Sequence, residues 1–173
     1  MQPSLAPFHG SSMPGQPKLE FCFEIKLKFA KYDTIAAMPS GAGRGFVYIE
    51  EGIVRGPYLN GKVLPHSGGD WALFRPDDVL QTDARYMLEA NDGTKILLYN
   101  RGFLWGRQPD TLKRIQDWMF RGGPEVPFDE FYLRAAPSFE TEKGPHDWLM
   151  RHVFVGIGQR QRDGNTIQYF ALL

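Results

Sequence analysis

The chain reads as a mainly β protein: one antiparallel barrel of about eight to ten strands with a single short helix. Three observations predict this. Apolar and polar residues alternate over long stretches, most cleanly over residues 19–29. Short turns of the kind that join antiparallel neighbours separate these stretches, and 19 glycines and 13 prolines supply them. Only one segment, residues 109–120, has helical spacing. An eight-stranded barrel has an interior about large enough for side chains or one small ligand. A β-sandwich is the alternative packing of the same strands.

The elements follow in order. Residues 1–17, rich in Pro, Ser and Gly, read as a flexible tail, and residues 18–173 as the barrel domain. In the first strand Leu19, Phe21, Phe23, Ile25, Leu27 and Phe29 share one face, and Glu20, Cys22, Glu24, Lys26 and Lys28 the other. MPSGAGRG (38–45) is a loop. The stretch FVYIEEGIVRGPYLNGKVLP gives one or two strands, punctuated by glycines that mark bulges or bends. DWALF (70–74) is a short strand, RPDD (75–78) a turn, VLQTDARYMLEA (79–90) a strand, NDG (91–93) a hairpin turn and TKILLYNRG (94–102) the returning strand. In PDTLKRIQDWMF (109–120), Leu112, Ile115 and Met119 recur at helical spacing, and Gly122 with Gly123 ends the run. EFYLRAAPSFE (130–140) returns to strand and loop. DWLMRHVFVGIGQR (147–160) is another strand, RDGN (162–165) a turn, and TIQYFALL the last strand.

Composition limits the function. Twenty basic and twenty acidic residues cancel, so no net field steers the chain onto nucleic acid or an anionic membrane. No apolar run approaches the length of a membrane-spanning helix, and the first residues lack the pattern of a signal peptide. The lone Cys22 can form no disulfide within the chain and no cysteine metal site, which points to the cytoplasm. Dinucleotide, P-loop and nucleophile-elbow motifs are missing, and His9, His66, His146 and His152 have no metal-motif spacing. The expectation is therefore no cofactor and no metal. The expected partner is a small organic molecule, with no nucleic acid and no membrane; a homo-oligomer stays open.

Charged and polar groups on apolar strands remain as site candidates. Arg85 shares a face with Met87, while Ala84, Tyr86 and Leu88 lie opposite. Asn100 shares the apolar face of Ile96 and Leu98. Asp70 lies in GGDW, Arg134 in FYLR and Glu140 in SFE. Buried charges must be paired or hydrogen-bonded. Asp70, Arg85, Arg134 and Glu140 therefore form either structural ion pairs at the barrel ends or a pocket in which an arginine holds an oxygen and a carboxylate moves a proton. Tyr48 and His66 are candidates to bind substrate and relay a proton. Trp71 and Trp148 are candidates for the pocket wall, with core packing as the alternative reading.

The order and spacing of GPYLNGKVLP, GGDW, DARYML, NDGTKI, NRG, FYLRAAPSFET, WL and VFVGIG resemble the family catalogued as domain of unknown function 3237, small bacterial and fungal proteins. The match runs from about Lys18 to the C-terminus. The resemblance implies a compact barrel, calycin-like in outline, and brings no general activity with it. Four places depart from the family pattern: Met150 stands where WLN would place Asn, His66 and Ser67 where the turn has more glycine, Leu133 for an aromatic, and His146 for an aromatic before WL. An asparagine replaced by Met150 implies a drier or differently shaped site.

Two functions are expected from these residues, with a filled barrel of purely structural role as the weakest third reading. One is a cofactor-independent enzyme of isomerase, dehydratase, cyclase or lyase type, acting by acid–base chemistry on a small, partly apolar, aromatic or polyketide-like metabolite. Catalysis would fall to Asp70, Arg85 and Glu140, and binding to Tyr48, His66, Trp71, Asn100, Arg134 and Trp148. The other is a barrel that binds or carries such a molecule unchanged.

Overall fold

Nine antiparallel strands among the described residues close on one another, with the first strand paired to both the second and the last. The computed structural model describes residues 16–173. The flexible tail expected over 1–17 falls almost wholly outside them.

Strand β1 (Leu19–Ile35) is long because β-branched and aromatic residues alternate with charged ones for most of its length. Its alternation breaks where the register against the last strand shifts between Phe21 and Phe23. That bulge turns Cys22 inward, so it is buried rather than on the polar face, and leaves Leu19 outside. Strand β2 (Gly43–Arg55) pairs with β1 and with two short strands set end to end, β3 (Gly61–Val63) and β4 (Gly69–Phe74). Both short strands also pair with β5 (Val79–Ala90), so together they form one stave of an eight-stave barrel.

The break between β3 and β4 explains part of the GGDW motif. Ser67 Oγ accepts the Met87 N–H at 3.0 Å and donates to the Leu64 carbonyl at 2.6 Å, filling the gap in the ladder. The two glycines then pass between neighbours. A Cβ on Gly68 would lie 1.8 Å from the Arg85 carbonyl, and one on Gly69 2.3 Å from that of Val47.

Strand β5 turns through Asn91–Gly93 into β6 (Lys95–Gly106), which pairs with β7 (Phe131–Thr141) over eleven residues. Helix α1 (Thr111–Arg121) lies between them in sequence. It buries Ile115 and Trp118, keeps Leu112 and Met119 partly covered, and ends on Gly122 in the left-handed conformation at φ 75°. It caps one end of the barrel over a small core of Ala72, Leu80, Leu104 and Phe131. The predicted strand at 147–160 is shorter than expected: residues 147–150 form a 3-10 turn, and β8 is Phe154–Gln161. Strand β9 (Gly164–Leu172) completes the wall. The main core, around Phe23, Tyr86, Leu98, Phe139 and Tyr169, fills the other end.

Candidate functional site

A group of polar side chains points into the barrel from different strands. Along β4, Asp70, Ala72 and Phe74 face inward and Trp71 outward, because side chains alternate across a strand. Thr82 and Tyr86 enter from β5, Asn100 from β6, Arg160 from β8, and Asn165 and Tyr169 from β9. Asp70 Oδ1 accepts the Asp83 N–H at 2.8 Å. Arg160, 7% exposed, donates from Nη1 to Asn165 Oδ1 at 2.8 Å across a registered pair of the β8–β9 hairpin.

These groups are not fully satisfied. Arg160 Nε and Asn100 Oδ1 find no hydrogen-bond partner among the described residues, and the hydroxyls of Tyr86 and Tyr169 approach each other without closing a well-formed bond. Buried polar atoms are seldom left this way. Asp70 and Arg160 influence each other electrostatically, but among the described residues they do not close an ion pair. Asp70 keeps some accessible surface, yet that surface borders two interior cavities, so its carboxyl is desolvated. Burial pushes its pKa up from 3.8 to about 6, against the lowering effects of the Asp83 N–H and the Arg160 charge. Burial likewise pushes both tyrosine hydroxyls up and Arg160 down, the last opposed by Asp70.

The two cavities are about 30 Å³ each, and Asp70 and Arg160 line both. Thr82, Tyr86, Asn100 and Asn165 line the first, Tyr32, Ile115 and Gln116 the second. Each has room for about one or two waters. Ligand pockets are roughly ten times larger, so a metabolite needs the wall or the helix to shift.

Of the sequence candidates, Asp70 and Asn100 meet at this interior. Arg134 borders the same cavity from the wall; its guanidinium lies against the rings of Tyr132 and Phe128 and donates to the Leu133 carbonyl at 2.9 Å. The structure does not bring the others there. Arg85, with its side chain 47% exposed, points outward and pairs with Asp83, as does Arg101. Glu140 lies on the same outer face, in an open trough with Arg85 and Tyr99. Tyr48 and Trp71 are exposed, with Lys31 over the Tyr48 ring and the Trp71 carbonyl accepting from Arg44. His66 stands in an exposed turn at φ 56°. Trp148 packs on the main core at the opposite end, beside an open cleft lined by Cys22, Tyr58 and His152. Met150 is exposed, its sulfur accepting the Thr141 N–H, so it does not dry the interior.

Sequence reasoning missed Arg160, Thr82, Tyr86, Asn165 and Tyr169. Arg160 falls in phase with Phe154, but Gly156 and Gly158 between them carry no hydrophobic signal. Among the described residues no three His, Cys, Asp or Glu side chains gather closely enough to hold a metal. No described helix is long and apolar enough to cross a membrane.

The chain is similar to known proteins in sequence and in fold. A protein named UPF0311 from Rhodopseudomonas palustris strain TIE-1 is 30% identical over 158 residues, covering 91% of this chain and 99% of its own. The crystal structure of a conserved protein of unknown function, RPA1785, from the same species superposes with a TM-score of 0.81 at 28% identity, covering 93% of this chain and all of that one. A structure described as an enzyme from Penicillium herquei has the same fold, with a TM-score of 0.67 at 20% identity over 94% of this chain and 99% of the other. The family model described as protein of unknown function, DUF3237, matches residues 17–172, and the chain belongs to that family.

Proposed function

We propose that the protein is a cofactor-independent enzyme that moves a proton on a small, partly apolar organic molecule inside the barrel. One observation carries this reading: a buried carboxyl, Asp70, raised to about 6, faces Arg160 across space that neither fills. At neutral pH most of Asp70 is ionised and can accept a proton from a carbon or hydroxyl. Arg160 Nε, lacking a partner among the described residues, is placed to stabilise negative charge developing on an adjacent oxygen. Tyr86 and Asn100 offer further groups to orient the molecule. Isomerisation, dehydration, cyclisation and lyase steps that pass through an enolate can all use this pairing of base and oxygen stabiliser. The Penicillium herquei barrel, described as an enzyme, is in keeping with catalysis on this fold. The partner is a small aromatic or polyketide-like molecule rather than nucleic acid or membrane, and the setting is the cytoplasm, the reading favoured by balanced charge and the lone cysteine.

The alternative is a barrel that holds such a molecule unchanged. Its support is the apolar remainder of the cavity lining, Leu27, Ile49 and Ile167 among it. The test is deuterium exchange at the acidic carbon of a set of cyclic 1,3-diketones and phenolic ketones, followed by NMR. Catalysis predicts exchange accelerated by the protein and lowered about 100-fold or more in Asp70→Asn. Binding without acceleration, equal in both proteins, overturns the enzymatic reading.

A further inference from the structure

The barrel wall is not uniformly zipped. β5–β6 and β6–β7 each run for eleven residue pairs, and β8–β9 for eight. β7 and β8 are joined at only two, Arg134 with Ile157 and Ala135 with Gly156. This weak seam borders the cavity that holds Asp70 and Arg160: Leu133, Ala135 and Gly158 are all part of its lining.

The seam also carries little side-chain bulk. Its inward positions on β8 are Gly156 and Gly158, and on β7 Ala135 lies opposite Gly156. The large group there is Leu133. A Cβ built on Gly158 would lie 2.5 Å from Leu133 Cγ and Cδ2, so the leucine occupies the space that a side chain at 158 would need. By contrast, the helical end is covered by large side chains, though Phe120 there keeps an exposed edge. Ile115 and Trp118 are buried under α1, and Phe120 stacks on Tyr32 with centroids 4.1 Å apart and rings 9° from parallel.

We infer that molecules reach Asp70 through the β7–β8 seam, with Leu133 as the gate and Gly158 as the space into which it closes. This inference rests on the interior being a ligand site, as proposed above. Leu133 and the residue at 158 then determine which molecules pass, because they set the width of the opening, while the two ladder pairs at 134–135 keep the strands together. Neither residue touches the reacting atoms in this role; each selects by size.

Access can be measured without knowing the substrate. Cys22 is the only cysteine, so Cys22→Ala gives a thiol-free background. Ala84→Cys places a reporter in the cavity wall, and Leu88→Cys places a control in the main core, away from the cavity. The probe is methyl methanethiosulfonate, a small neutral thiol reagent. Leu133→Ala should speed modification at 84 about tenfold or more over any change at 88, Leu133→Val should speed it by less, and Phe120→Ala should leave it unchanged. Acceleration by Phe120→Ala without acceleration by either Leu133 variant would assign access to the helical end and overturn the inference. So would equal acceleration at 84 and 88 in both Leu133 variants, which would mean general loosening. The acceleration by Leu133→Ala should persist in an Asp70→Asn background, read as a ratio of rates because Asp70 lies opposite residue 84 and its charge alters the thiol there. A confirmed gate alongside full turnover by Asp70→Asn would therefore refute the catalytic assignment and leave the gate standing.

Discussion

Asp70→Asn separates a functional carboxylate from a structural one through the sign of its effect on stability. The folded pKa of Asp70 is about 6 against an ordinary value of 3.8, so the folded protein binds more protons than the unfolded chain between these values. Stability from this group is therefore greatest below about pH 4 and falls as pH rises through 6. The difference between 3.8 and about 6 corresponds to about 3 kcal/mol, an upper bound on the destabilisation above pH 7. Asparagine keeps an oxygen to accept the Asp83 N–H and carries no charge. The variant should match the wild type near pH 4 and exceed it at pH 8 by up to about 3 kcal/mol, roughly 6–12 °C in Tm for a chain of this size. Urea unfolding at pH 4.5, 6 and 8 measures this directly. Had Asp70 been one half of a closed, buried ion pair, the same substitution would strand Arg160 and destabilise by about 3–5 kcal/mol at pH 8. A loss of stability at pH 8 that disappears at pH 4.5 would refute the open Asp70–Arg160 arrangement and the proton-transfer role built on it.

Removing the Arg160 charge with Arg160→Met should raise the Asp70 pKa above 6, because that charge holds it down; an NMR titration of the Asp70 carboxyl, or the acid limb of a pH–rate profile, should move upward. Arg85→Ala and Glu140→Ala act on the outer face and should each change stability by less than about 1 kcal/mol in urea, with ligand binding and turnover unchanged. His66→Gly relieves a left-handed residue and should stabilise by at most about 1 kcal/mol. Two residues on, Gly68→Ala should destabilise by about 3 kcal/mol or more, since its Cβ meets the Arg85 carbonyl; thermal melting compares the pair.

The barrel was legible because its strands keep period two. VLQTDARYMLEA is strand β5 residue for residue, and the helix lies within two residues of its expected bounds. The reading failed where periodicity has no voice. A bulge at Phe21–Phe23 reverses the phase of β1, and no local pattern announces an extra residue. At 147–150 apolar residues lie in a 3-10 turn packed on β7, where tertiary contacts rather than spacing set the backbone.

The site was legible where a polar group interrupts an apolar face of known phase or falls in a distinctive motif. Asn100 met the first condition between Leu98 and Leu104, and Asp70 the second, in GGDW. Arg85 did not: it stands one residue from Ala84 and Tyr86, and in a strand one residue is the other side of the wall. Glu140 has the same relation to Phe139. Arg160 is the converse case. It shares a phase with Phe154, but Gly156 and Gly158 carry no hydrophobic signal, so the inward face of β8 is silent over the residues that would reveal it. Those same glycines leave the space that Leu133 fills at the seam. The feature that hid the arginine from periodicity is thus the feature that thins the wall beside it, and a charged residue in phase with inward glycines next to a short ladder is the pattern to seek in related barrels.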